Sequence, residues 1–243
     1  RQFVVRIDGL NPAANGLSRQ AEWRALQAAH RAGLAPHPRY FNPDLGSLVC
    51  DFLIADENAI DEIGNTASLL RKIHELPALH TRLDLYERII RYEKHVQHKG
   101  TAVHPTLTEC RSKVLNALDA IKARKQRFVL CHNDLLRANR IVSGSQVWAI
   151  DWEYCAMGNA WFDLAVVAVG DSLDRSQTQQ LLNCYLGRAA TEQEQFELQQ
   201  HCCVYRYLEL LWYSTLPPPQ GGGQHNRLSI ADKLRQLAQT VLP

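Results

Sequence analysis

The sequence has no C-x-x-C pair, although it carries seven cysteines, at 50, 110, 131, 155, 184, 202 and 203. Zinc ligation calls for closely spaced ligand pairs, so no zinc site is expected. An odd count leaves at least one thiol outside any disulfide within a monomer, and the set reads as reduced and mostly buried. No apolar stretch approaches the roughly 20 residues that span a bilayer. Nor does the N-terminus show a basic patch followed by an apolar run and a cleavage site. A cytoplasmic protein without a membrane span is expected. The 27 Lys and Arg residues face 25 Asp and Glu residues and form no basic run, so nucleic acid is not an expected partner. The C-terminal half lacks a dense acidic cluster, Glu192, Glu194 and Glu197 coming closest, which leaves little to hold a polycation. Gly221, Gly222 and Gly223 follow no strand and precede no Lys-Ser/Thr, and read as a connector rather than a phosphate cradle. No internal repeat is found.

What remains is a 243-residue chain with 46% hydrophobic and 21% charged residues, ordinary for a globular protein with a substantial core. Residues 3 to 7 have strand composition, and a loop through Asp8, Gly9 and Pro12 leads to a helix over 18 to 32 that Gly33 ends. Glu22, Leu26 and Ala29 share one face of that helix. Residues 48 to 54 form a second strand, and the polar run Asp56-Glu57-Asn58 places a lobe boundary near 55. The expected division is therefore a small lobe over 1–55 and a mostly helical lobe over 56–243. Amphipathic periodicity predicts helices over 58–76, 83–98 and 106–124. Short strands follow at 128–131, 140–142 and 147–150, then helices from about 160 and over 175–187, 192–215 and 227–241.

The chemistry concentrates in Cys131-His132-Asn133-Asp134-Leu135-Leu136-Arg137-Ala138-Asn139 and in Ile150-Asp151-Trp152-Glu153-Tyr154. The first fits H-x-D-x-x-x-x-N, and the second places an Asp at the end of an apolar strand. If the strands at 140–142 and 147–150 pair around the turn 143–146, Asn139 comes opposite Ile150 or Asp151. An amide oxygen and a carboxylate then meet at the open end of the ladder, a pair of hard oxygen donors suited to Mg²⁺ carried in with a nucleotide. Asp134 lies in the same loop, placed to accept the proton of an attacking hydroxyl, and is the expected catalytic base. His132 is expected to brace the loop rather than exchange protons.

Segment 131–169, with its Ile-Asp-Trp-Glu-Tyr run and Phe162-Asp163-Leu164-Ala165, resembles the core of the choline/ethanolamine kinase and aminoglycoside phosphotransferase superfamily. It is most similar to the choline kinase and bacterial thiamine kinase branches, and a looser likeness runs from residue 3 to about 215. The resemblance implies an α+β, protein-kinase-like two-lobed fold with a β-rich N-terminal lobe, truncated here, and a large helical C-terminal lobe. It implies Asp134 as base, Asn139 and Asp151 as Mg²⁺ ligands, ATP as phosphoryl donor, and Asp163 as a buried brace for the catalytic loop. It also implies that Arg6 presents its cation to the α- and β-phosphates, oriented by Glu22, with Arg in place of the family's Lys. Residues 49–53, with Asp51 and Phe52, become the hinge beside the adenine. The glycine-rich loop and two strands that precede Arg6 in that family are absent from this chain, and a fragment of a longer protein is expected.

For the acceptor, Tyr205, Glu209 and Trp212 fall at i, i+4, i+7 on the helix 192–215. Two aromatic faces around a carboxylate suit a small cation. Glu153 and Tyr154 are expected on the near wall of that site. Tyr207, Leu208, Leu211 and Trp212 equally make an ordinary buried face. The expected activity is phosphoryl transfer to the hydroxyl of a cationic alcohol, choline or ethanolamine first. A thiamine kinase, an aminoglycoside-type phosphotransferase and a non-catalytic pseudokinase that binds nucleotide or a partner remain open.

Overall fold

The computed structural model describes residues 2–7, 16–56, 62–100, 103–124, 127–216 and 230–241. The expected loop through 8–15, the connection at 57–58 and the proline and glycine runs between 217 and 223 lie outside the described residues. Strand β1 (Phe3–Ile7) pairs antiparallel with β3 (Ser47–Asp51), which pairs on its other side with β2 (Pro38–Asn42). Helix α1 (Arg19–Arg31) precedes β2; Ser18 caps its first turn by accepting the Ala21 N–H. Gly33, at φ +72°, ends it, with Leu34 N–H returning to Ala29 O at 2.8 Å. The Ala-rich face of α1, with Ala25, Leu26 and Ala29, is buried together with Glu22.

Helices α2 (Ile63–His74), α3 (Leu85–His98) and α4 (Pro105–Lys122) follow, the last with proline in its first turn, where no N–H is missed. Strand β4 (Phe128–Cys131) pairs with β7 (Ala156–Asn159), and between them β5 (Arg140–Ser143) and β6 (Gln146–Ala149) form a hairpin. Gly144 and Ser145 both take positive φ, as a tight two-residue hairpin turn requires. Helix α5 (Ala160–Gly170) is apolar except for Asp163 in its first turn, and Phe162–Val169 are buried. Helices α6 (Arg175–Leu186), α7 (Glu192–Thr215) and α8 (Ile230–Val241) complete the chain. Strands β2 and β7 are not among the sequence-derived elements; Pro38 and Asn42 bracket the first, and Gly158 sits inside the second.

The chain resolves into two compact units, residues 1–83 with 127–195, and residues 84–126 with 196–243. Residue 55, where a lobe boundary is expected, lies within the first of these units. Asp56 donates its N–H to Val142 O at 2.8 Å, and its carboxylate accepts the N–H groups of Gly144 and Ser145 at 3.1 Å each. Ala149 N–H likewise reaches Leu34 O at 2.8 Å, so the hairpin is tied to the strands that precede it. In the second unit, α4 buries Leu107, Val114, Leu118 and Ile121 on one stripe, and Arg111 and Tyr207 share the Glu93 carboxylate. Among the described residues no helix is long and apolar enough to cross a membrane.

Candidate active site

Strand β4 delivers the chain into the loop 132–139, whose start is held by one carboxylate. Asp163, in the first turn of α5 and fully buried, accepts the His132 N–H at 2.8 Å and the Asn133 N–H at 2.7 Å. Asn133 stands at φ +62°, a left-handed conformation that Asn tolerates better than most residues, and its side-chain amide donates to Tyr154 O at 3.0 Å. His74 of α2 completes the brace. Because a carboxylate only accepts, its Nε2–H donates to Asp163 at 3.1 Å, and Nδ1 accepts from the Tyr185 hydroxyl at 2.8 Å. Burial works to raise the Asp163 carboxyl, but the His74 bond and the surrounding donors outweigh it and hold it below the usual range. The His132 ring donates from Nε2 to Ile150 O at 3.0 Å and lies 4.8 Å from the Trp152 ring; burial lowers its pKa, favouring neutral imidazole.

The far end of the loop is held from the other end of the same helix. Asp171, just past α5, accepts the Arg137 N–H at 2.9 Å and pairs with Arg140, whose guanidinium also donates to Leu135 O at 2.6 Å. Between these anchors stand Asp134 and Asn139, the expected base and metal ligand. The Asn139 amide nitrogen donates to the Asp134 backbone oxygen and to its carboxylate, both at 2.8 Å. That leaves Asn139 Oδ1 as the side chain's acceptor. Asp134 is half-buried, and its carboxyl is pushed up to about 7 by burial and by the Asp151 charge, against the pull of the Asn139 bond.

The hairpin register pairs Arg140 with Ala149, and Ile150 N–H reaches Asn139 O at 3.0 Å. Asn139 therefore stands opposite Ile150, next to Asp151, as the turn length predicts. Asp151 adopts φ +61° at the start of a 3₁₀ turn, Trp152–Tyr154, which buried Trp152 pins by donating its indole N–H to Ala149 O at 3.1 Å. The Asp151 carboxylate stays exposed.

Arg6 bonds both oxygens of Glu22, with Nη2–Oε2 at 2.7 Å, and reaches Asp151 Oδ1 at 3.4 Å. Although burial works against the charge, Glu22, Asp151 and Glu153 raise the Arg6 pKa. Arg19 adds a second bridge, from Nη1 to Glu22 Oε2 at 2.9 Å and to Glu153 Oε2 at 3.1 Å. Burial and the Asp151 charge raise the Glu153 carboxyl, with Arg19 and Arg6 opposing.

The donors beside Asp151 are an amide oxygen and carboxylates, which fit Mg²⁺ and not a thiolate- or imidazole-seeking metal. Among the described residues one group of three or more His, Cys, Asp and Glu side chains lies close enough to hold a metal ion. It comprises His74, Cys131 and Asp163, and hydrogen bonding to the loop already engages its carboxylate. Burial raises the Cys131 thiol well above its ordinary value.

The remaining expected site residues are placed as follows. Asp51 forms a bidentate pair with Arg39 at 2.7 and 2.6 Å, and the N–H groups of Asp51 and Phe52 donate to His37 O and Gln2 O. Both donors are thus engaged within the strands, while the Phe52 side chain is exposed. Tyr205, Glu209 and Trp212 lie on α7 in the second unit, all partly exposed. Glu209 is paired with Lys233 of α8 at 2.6 Å, and the Lys233 ammonium lies 5.7 Å from the Tyr213 ring, itself edge-on to Trp212 at 5.2 Å. Arg19, His74, Asp171 and Lys233 were not singled out from sequence. For Arg19 a signal existed, the i, i+3 spacing to Glu22; the other three act across long separations in sequence.

Comparison with known proteins bears on this geometry. A thiamine kinase of Escherichia coli is 29% identical over 190 residues, which span 78% of this chain and 65% of that protein. A LicA homolog of Mycoplasma capricolum is 21% identical over 180 residues, 73% of this chain and 71% of its own length. A choline/ethanolamine kinase family protein from Mesorhizobium loti superposes with a TM-score of 0.82 at 20% identity, covering 99% of this chain and 82% of that one. This likeness shows the fold, α+β and protein-kinase-like. Residues 1–198 match the phosphotransferase enzyme family (APH). That match runs from the strand bearing Arg6 into α7 and takes in the loop 132–139 and Asp151 with its partner Arg6, and because it spans most of the chain, the chain belongs to the phosphotransferase enzyme family.

Proposed function

We propose that the protein is an ATP- and Mg²⁺-dependent kinase that moves the γ-phosphoryl group onto the hydroxyl of a small cationic alcohol, choline or ethanolamine. The observation that carries this reading is the Asn139 amide, bonded to Asp134 through its nitrogen and set by the β5–β6 register beside Asp151. One loop and one hairpin so bring the Asp134 and Asp151 carboxylates and the Asn139 amide into a single corner of the first unit, which supports reading them as a base and two oxygen donors.

Asp134 accepts the proton of the incoming hydroxyl, its carboxylate half-buried and held in place by the Asn139 amide. Asn139 Oδ1 and Asp151 would hold Mg²⁺, which when bound neutralises developing charge on the phosphates. Arg6, steadied by Glu22, meets the α- and β-phosphates as a planar fork. The chain's task is then positioning and charge compensation, with little covalent chemistry. Tyr154 with Glu153 on the 3₁₀ turn are the proposed contributors to holding the acceptor within the first unit, and the aromatic faces of Tyr205 and Trp212 on α7 are proposed separately as cation-binding surfaces.

Thiamine is the second acceptor to test, favoured by the 29% identity to a thiamine kinase. Steady-state phosphoryl transfer, measured with the full-length protein on choline, ethanolamine, thiamine and an aminoglycoside, separates these readings. Transfer to choline or ethanolamine at the highest kcat/KM is the expected result, and inactivity on every cationic alcohol sinks it.

A further inference from the structure

Five charged side chains form a closed chain around the proposed metal corner. Asp151 meets Arg6, Arg6 meets Glu22, Glu22 meets Arg19, and Arg19 meets Glu153, two residues after Asp151 in the same 3₁₀ turn. Three elements contribute, β1, α1 and the turn after β6. The links are unequal. Glu22 is buried to 1% exposure and bonds two arginines, whereas the Arg6–Asp151 contact is the longest at 3.4 Å and the most exposed. Long, exposed ion pairs exchange partners at little cost; a buried carboxylate stripped of its partners does not.

We infer that Arg19 is a positioning residue. One of its nitrogens holds Glu22 and Glu153 together, so that Arg6 can release Asp151 to the metal and turn toward nucleotide phosphates without leaving Glu22 uncompensated. The inference rests on the kinase reading above and adds to it a residue outside the base, the metal ligands and the phosphate-binding pair. Arg19 is itself mostly buried, and its reach from the first turn of α1 to the residue after Trp152 locks the helix to the turn that presents Asp151. Among the described residues two arginines face three carboxylates in this set of ion pairs, so a divalent cation enters a corner short of positive charge. Arg19 keeps that deficit local to Asp151 by neutralising Glu153.

The test is nucleotide binding rather than turnover. A non-hydrolysable ATP analogue is titrated into the full-length protein with and without Mg²⁺, for wild type, Arg19→Met and Arg19→Lys, with thermal melting as a check on folding. Arg19→Met is expected to weaken Mg²⁺-supported binding at least fivefold while changing metal-free binding less than twofold. Arg19→Lys, which keeps a charge able to bridge two carboxylates, is expected to recover part of the loss. Mg²⁺-supported binding unchanged within twofold in Arg19→Met, or an equal loss with and without metal, overturns the assignment. If Arg19→Met does not fold, Arg19→Lys decides: an Mg²⁺-specific weakening supports it and wild-type binding overturns it. A wild-type protein that binds no nucleotide under either condition would instead defeat the kinase reading itself.

Discussion

The loop 132–139 of the first unit, proposed to be catalytic, and the acid-bearing stripe of α7 in the second are provisioned in opposite ways. Around the loop, backbone donors are answered by buried carboxylates that are themselves held by a second partner, Asp163 at residues 132 and 133 with His74 behind it, and Asp171 at residue 137 with Arg140. On α7 the acid expected to meet a substrate cation already has a cation, Lys233, supplied by the chain. Buried acids that complete a loop make it rigid, because removing one leaves several donors without partners. The Glu209 acid, paired with Lys233 where both side chains are nearly buried, is committed to that partner and leaves recognition to the aromatic faces beside it.

Asp134→Asn sets the outer limit of that contrast. It preserves shape and removes the base, so kcat should fall by about a thousandfold with Mg-ATP binding retained. Kinetics unchanged from wild type would remove Asp134 from the mechanism and leave a nucleotide-binding pseudokinase as the better reading.

Asp163→Asn comes next. Two backbone N–H groups and the His74 ring lose a charged acceptor, and urea unfolding should show a loss of about 3 kcal/mol. A midpoint close to wild type would mean that the loop is not built around this acid.

A third test concerns the second unit alone. His201 of α7 is buried, donates from Nδ1 to Glu197 O at 2.8 Å, and among the described residues has no partner at Nε2. Burial lowers its pKa to about 4 despite that bond. Its folded pKa lies below the ordinary value near 6.5, so the unfolded chain binds the proton more readily in between. Stability should decline as pH drops from about 6.5 to about 4, by up to about 3 kcal/mol. His201→Leu should flatten this part of a urea-midpoint profile against pH, and an unchanged slope would assign the decline elsewhere.

The smallest effect is expected at Glu209→Gln, which should shift the acceptor KM by less than about twofold because Lys233 already compensates the carboxylate. Trp212→Ala should raise it more, since the ring offers a face that nothing else replaces. A large KM effect at Glu209 with none at Trp212 reverses the comparison and restores the acid to the acceptor.

What was legible in the sequence followed from local constraint. The register that brings Asn139 opposite Ile150 was readable because a four-residue turn admits few hairpin geometries, and the H-x-D-x-x-x-x-N spacing marks its own loop. The Arg6–Glu22 pair was legible through the family likeness. Arg19 was within reach, one helical turn from Glu22, but its second partner, Glu153, lies 134 residues away and no periodicity reports it. Lys233 was hidden in the same manner, since an ion pair between α7 and α8 leaves no spacing to read. The lobe boundary near 55 was inferred from polar composition, which does not register that Asp56 turns back to cap the β5–β6 hairpin.

Helix α5 acts as a ruler. Its two acids stand eight residues apart, at about 1.5 Å of rise per residue, and each grips a different end of the segment that carries the base. One residue inserted into α5 would swing Asp171 by about 100° around the axis and pull its grip from Arg137 and Arg140. The apolar residues of this helix can therefore be exchanged for others of like volume, but their number cannot change.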